Sequence, residues 1–124
     1  DMVAVEALAS TAVAPGLGFL AEMDPKDGLR ILRMLQIRQN VPHGLDWYDG
    51  AFWVMDGADR LVQKIDPVSG RVQEVWTFGP NDPDPHGMCV HNGYVYSTDA
   101  GLGGGRKPSP GTKPQMIFRF PIKA

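Results

Sequence analysis

A single cysteine, Cys89, stands in 124 residues, so no disulfide can form within the chain. Its neighbours are strand-forming residues, and the reading they favour is a buried, inert thiol. Charge is sparse and scattered, with 12 Lys and Arg against 14 Asp and Glu, for a formal net charge of −2. No face-scale basic run exists, which argues against nucleic acid or an anionic membrane as a partner. The nearest approach to a basic patch is Arg106, Lys107 and Lys113, spread through a Gly- and Pro-rich stretch that reads as a solvated loop. No apolar run is long enough to cross a bilayer as a helix. The opening DMVAVEALASTAVAPG is apolar but lacks a basic leader, so a signal peptide is a weak reading. Its first residue is Asp1 and not Met, so the expectation is that something was removed or that this is part of a longer protein.

What the chain does have is an apolar fraction of 43%, enough for one domain with a core, and a repeated phrase. Pro42-His43-Gly44 recurs 43 residues later as Pro85-His86-Gly87. The segment LVQKIDPVSGRVQEVWTF (61–78) lies over FLAEMDPKDGLRILRMLQ (19–36) at an offset of 42 with no gap. A third copy sets GYVYSTDAG over GAFWVMDGA and then MIFRF over LVQKI, with about a dozen residues inserted between them. The inserted stretch, 101–114, is rich in Gly and Pro and reads as a long loop.

Each copy reads as short strands between turn signals. In the middle one, GLDWY and AFWVMD flank an Asp49-Gly50 hairpin, and LVQKID and RVQEVWTF flank the Pro67–Gly70 turn. In the first copy, MVAVEALASTAVA has helix propensity, but the register of the repeat favours strands. Four antiparallel strands in 42 to 43 residues is the arithmetic of a β-propeller blade. The expectation is therefore an all-β partial propeller of about three blades, 1–41, 42–84 and 85–124. Three blades cannot close a ring. The chain is thus expected to be half of a six-bladed propeller, completed by a missing N-terminal half or by a homodimer.

The run PHGLDWYDGAFWVMDGADRLVQKIDPVSGRV resembles the blades of NHL-type six-bladed propellers, most closely the streptogramin (virginiamycin B) lyase-like group. The shared pattern is P-x-G-[IL] opening a strand, G-x-[FLW]-W-V in the second, then I-D-P-x-[ST]-G-x-V. The likeness covers residues 16–124 and is clearest from 42 to 99. It implies a small-molecule or peptide-derived ligand at the channel mouth. In the lyase group it also implies an elimination that opens a cyclic depsipeptide, assisted by a divalent metal (Mg, Ca or Zn) with His and Glu residues. Other propellers with this blade pattern only bind.

His43 and His86 are the leading catalytic and metal-ligand candidates. Both precede the innermost strand of a blade, held between a residue of fixed φ and one that permits close backbone approach. Imidazoles converging from successive blades suit a divalent metal or a general base. The competing reading is that each His fixes its own turn. Asp56 and Asp99 end the second strands at equivalent positions and are candidate ligand-binding residues, or else caps of Asx turns. Arg106, with Lys107, is placed in the insertion where it could meet an anionic group. His91 reads as flanking the Asn92-Gly93 turn, and Trp47, Trp53 and Trp76 read as packing between blades. The competing class is a non-catalytic scaffold for a protein or glycan partner, or an inactive fragment of a larger propeller.

Overall fold

The computed structural model describes residues 2–4, 18–99 and 116–122. Among these, every regular element is a strand. Sheet 1 contains β1 (Met2–Ala4), β2 (Gly18–Asp24) and β3 (Arg30–Ile37). Sheet 2 contains β4 (Pro42–Tyr48), β5 (Ala51–Asp56), β6 (Leu61–Ile65) and β7 (Val72–Thr77), in that spatial order. Sheet 3 contains β8 (Pro85–His91), β9 (Tyr94–Asp99) and β10 (Ile117–Pro121). All pairings are antiparallel.

Turn chemistry sets these boundaries. Asp49 and Gly50 have φ of 51° and 70°, and Asn92 and Gly93 have 48° and 77°. Two successive positive φ values give the turn whose twist matches the flanking strands, and Asp-Gly and Asn-Gly tolerate them best. At the other turns, the Asp66 carboxylate accepts hydrogen bonds from the Val68 and Ser69 backbone N–H groups and from the Ser69 hydroxyl. The gap-free match between the first two copies needs one correction. Met23 pairs with Ile31 while its counterpart Ile65 pairs with Val72, so the chain between these paired positions is one residue longer in sheet 1. Leu29, at φ 62°, lies in that longer turn.

The sheets stack face to face, and sheet 2 is the middle layer. Its β5 is buried at all six residues. Alternation sends Phe52 and Val54 to one side, where they join Leu20, Leu35, Ile37 and Ile65. Trp53 and Met55 point the other way, joining Val62 and Val95, with Trp76, Met88 and Phe120 packed alongside. Burying each such side chain stabilises the fold by roughly 1.5–3 kcal/mol, so the two clusters hold the layers together. Trp53 stacks on Trp76 at 4.8 Å between ring centroids.

Two expectations fail here. Trp47 is 54% exposed: it lies on the same side of β4 as Leu45 and meets Phe52 edge-on at 5.0 Å, but two residues further along the strand it keeps more than half of its surface in solvent. Cys89 is exposed and not buried, because Met88 and Val90 turn toward the cluster shared with sheet 2 and Cys89, between them, points away from it. The insertion 101–114 and the strands expected after Ala4 in the first copy lie outside the described residues.

Candidate functional site

The two Pro-His-Gly segments open β4 and β8, the strands along which sheets 2 and 3 approach most closely. In both, the pairing register slips at the histidine: between Pro42 and Gly44 opposite β5, and between Pro85 and Met88 opposite β9. A bulge leaves a residue out of the ladder and re-aims its side chain. The result is that His43 and His86 meet, with ring centroids 3.8 Å apart and planes tilted by 35°. Both are partly buried.

Close backbone approach makes this contact possible. A Cβ on Gly44 would lie 2.5 Å from Met88 Cγ and 2.8 Å from Met88 N, so no side chain fits there. A Cβ on Gly57 would lie 2.6 Å from Cδ2 of His43, which places that imidazole against the turn after β5. The glycines therefore bring the strands together and leave the rings room to lie against each other.

Asp56 is fully buried. Its carboxylate accepts hydrogen bonds from the backbone N–H groups of Asn40 at 2.6 Å, Ala58 at 2.8 Å and Asp59 at 3.0 Å. Gly57 N–H donates to Val41 O at 3.0 Å. Together they fix the backbone that leads into Pro42 and His43. Asp99, also buried, accepts from Asp84 N–H at 3.2 Å on the approach to Pro85. The Ser97 hydroxyl donates to Gly87 O at 2.9 Å, and Gly87 N–H donates to Thr98 Oγ1 at 3.2 Å. The two aspartates thus act on the chain leading into the histidines. Arg106 lies outside the described residues.

No group of three or more His, Cys, Asp or Glu side chains suited to a metal ion occurs among the described residues. Two imidazoles are fewer than the three protein ligands of a catalytic zinc site, so these residues alone do not fit a metal centre. What they can do together is exchange protons and hydrogen bonds with one polar group. Two open grooves among the described residues lie elsewhere: one of 620 Å³ between β3 and the Ser69–Val72 turn, and one of 390 Å³ between β7 and β10.

Three residues that position this region were not singled out as such by the sequence reading. Asp46 spans the sheets, its carboxylate accepting from Trp47 N–H at 2.7 Å and from Val90 N–H in β8 at 2.6 Å. A charged residue inside an otherwise apolar strand was its signal. Gln39, 1% exposed, donates through Nε2 to Val54 O and Gln63 Oε1. Arg60, at φ 55°, donates to the carbonyls of Gly79, Asp82 and Pro83 and so gathers the link between β7 and β8. Comparison with protein-family models gives no match for this chain, and comparison with curated proteins gives none either.

Proposed function

We propose that the three sheets are successive blades of an NHL-type, streptogramin lyase-like propeller, and that His43 and His86 line a ligand site at its inner rim. The observation that carries this reading is the 3.8 Å contact between two imidazoles from the same position of two adjacent repeats. The ligand is a small molecule or a peptide-derived compound with a polar group that both rings can reach. Elimination is the reaction class the pair serves. One neutral imidazole takes a proton from carbon, and its protonated neighbour gives one to the departing oxygen, so the proton count balances. Metal-assisted lyase or hydrolase chemistry requires more ligands than the described residues bring together.

A scaffold reading has its own support. Asp56 accepts three backbone N–H bonds, and the His43 ring packs on Gly57, which is how a turn-fixing histidine sits. The two readings part on one experiment. Imidazole signals of His43 and His86 are followed by NMR while a cyclic depsipeptide, and separately Zn²⁺, Ca²⁺ or Mg²⁺, is added. The site reading expects both rings to respond to the same additive, and His86→Ala to abolish the response while the chain stays folded. If neither ring responds to any of them, the scaffold reading stands and the site reading is abandoned.

A further inference from the structure

The internal repeat displays how one sheet covers the next, and it identifies what would cover the far face of sheet 3. Across sheet 2, Asp46, Trp53 and Lys64 form one cross-strand row. Lys64 Nζ lies 5.8 Å from the Trp53 ring centroid. This row is pressed against sheet 3: Trp53 is 1% exposed in the cluster that holds Val95, and Asp46 bonds Val90 N–H. Across sheet 3, the same row is Cys89, Tyr96 and Arg119. Arg119 lies 6.0 Å from the Tyr96 ring and 4.4 Å from the Tyr94 ring, reproducing the cation-over-aromatic arrangement. Here the row looks outward, with Cys89 exposed and the neighbouring Ile117 71% exposed.

The complementary surface is in the same chain. In sheet 2, the face bearing Phe52, Val54 and Ile65 packs onto sheet 1. Sheet 1 turns Leu20 toward sheet 2, so Phe19 and Ala21 point the other way, with Met34 directly across from Ala21 and 40% exposed. That face is apolar apart from the exposed Gln36 across from Phe19, its centre at Ala21 is 0% exposed between the half-buried Phe19 and the exposed Met34, and it occupies the place in its repeat that seats against a preceding sheet.

We propose that the Cys89–Tyr96–Arg119 face of sheet 3 docks the Phe19–Met34 face of sheet 1 from a second copy of this chain. The proposal rests on the propeller reading above and names its partner. Two such contacts, related by a two-fold axis, close six sheets into a ring and leave neither face open. Cys89 is then covered, as Asp46 is covered in sheet 2.

Because Cys89 is the only cysteine, a thiol reagent reads this face alone. Solution mass and the rate of Cys89 modification are measured together over a range of concentrations, with hydrogen exchange at Val90 N–H alongside. The expected result is twice the mass of one chain at high concentration, with modification slowed roughly tenfold or more as the dimer forms. Ile117→Asp should restore the mass of one chain and fast modification, with Val90 N–H still protected. Val68→Asp, in a turn remote from this face, should leave the dimer intact. A single-chain mass at every concentration with freely reactive Cys89 overturns the docking, as does a dimer in which Cys89 stays reactive. Val90 separates the two failures. If its N–H stays protected, only the docking is lost; if it exchanges freely, the stacking of sheets 2 and 3 is lost with it.

Discussion

β4 and β8 begin with the same three residues, yet the two strands live under different constraints. Gly44 is wedged against the Met88 backbone of the neighbouring sheet, whereas a Cβ at Gly87 would meet only Thr98 Oγ1, at 3.3 Å. Two residues after each glycine the difference recurs: Asp46 is tied to Val90 N–H, and Cys89 is exposed. The repeat therefore supplies the shape of a strand, and the sheet lying against it decides which of its residues are indispensable.

The largest test of that difference is the pair Gly44→Ala and Gly87→Ala. At Gly44 the added methyl meets backbone that cannot rotate away, and overpacking of this kind costs about 3 kcal/mol. At Gly87 a small shift of the Thr98 hydroxyl relieves the contact, and the cost should be about 0.5 kcal/mol. Denaturant midpoints of the two variants should differ clearly. Equal losses would mean that sheets 2 and 3 do not meet along these strands.

Next in size is Asp46→Ala against Cys89→Ala. The first removes the acceptor of Val90 N–H and leaves a partly buried donor unpaired, which costs about 1 to 2 kcal/mol. The second changes an exposed residue and should stay within about 0.5 kcal/mol. Thermal unfolding of both variants measures the contrast, and hydrogen exchange at Val90 should rise in the first alone.

These contrasts also mark what was legible in the sequence. From 42 to 99 the strands follow from local chemistry. Asp49-Gly50 and Asn92-Gly93 dictate their hairpins, and the alternation of Phe52 and Val54 with Trp53 and Met55 assigns the faces of β5. The convergence of His43 and His86 was legible as a consequence of the repeat, although their 3.8 Å contact depends on two bulges that no periodicity records. The reach of Asp46 to Val90 spans 44 positions and leaves no local trace. Cys89 was misjudged because composition reports that a strand is apolar, not which of its sides another sheet covers, and Trp47 because it does not report how far along a strand that cover extends. The one-residue shift in pairing register escaped because the glycines of the two turns still align when the pairing beyond them does not.

A smaller effect on stability, with a sharper effect on the site, is expected from Gly57→Ala. Its Cβ would collide with Cδ2 of His43, the outer end of a side chain that can swing aside. Stability should change by less than about 1 kcal/mol, while the tilted ring contact between His43 and His86 is displaced. The NOE between the two imidazoles should vanish with little change in melting temperature. A persisting NOE would show that Gly57 does not set the ring position.

The smallest effect concerns pH and belongs to the turns that recur with the repeat. The Asp66 carboxyl is held below its ordinary value by the Ser69 backbone N–H first, then by the Ser69 hydroxyl and the Val68 N–H. A carboxylate whose folded pKa is depressed contributes stability that is complete above its unfolded value and lost as pH falls through the folded one. The loss from this residue therefore begins as pH drops below the ordinary carboxylate range of about 4 and is absent at neutral pH. Exposure of the group to solvent keeps the contribution slight. Asp66→Asn should flatten the acid limb of the stability curve by a small amount and leave the neutral-pH slope unchanged.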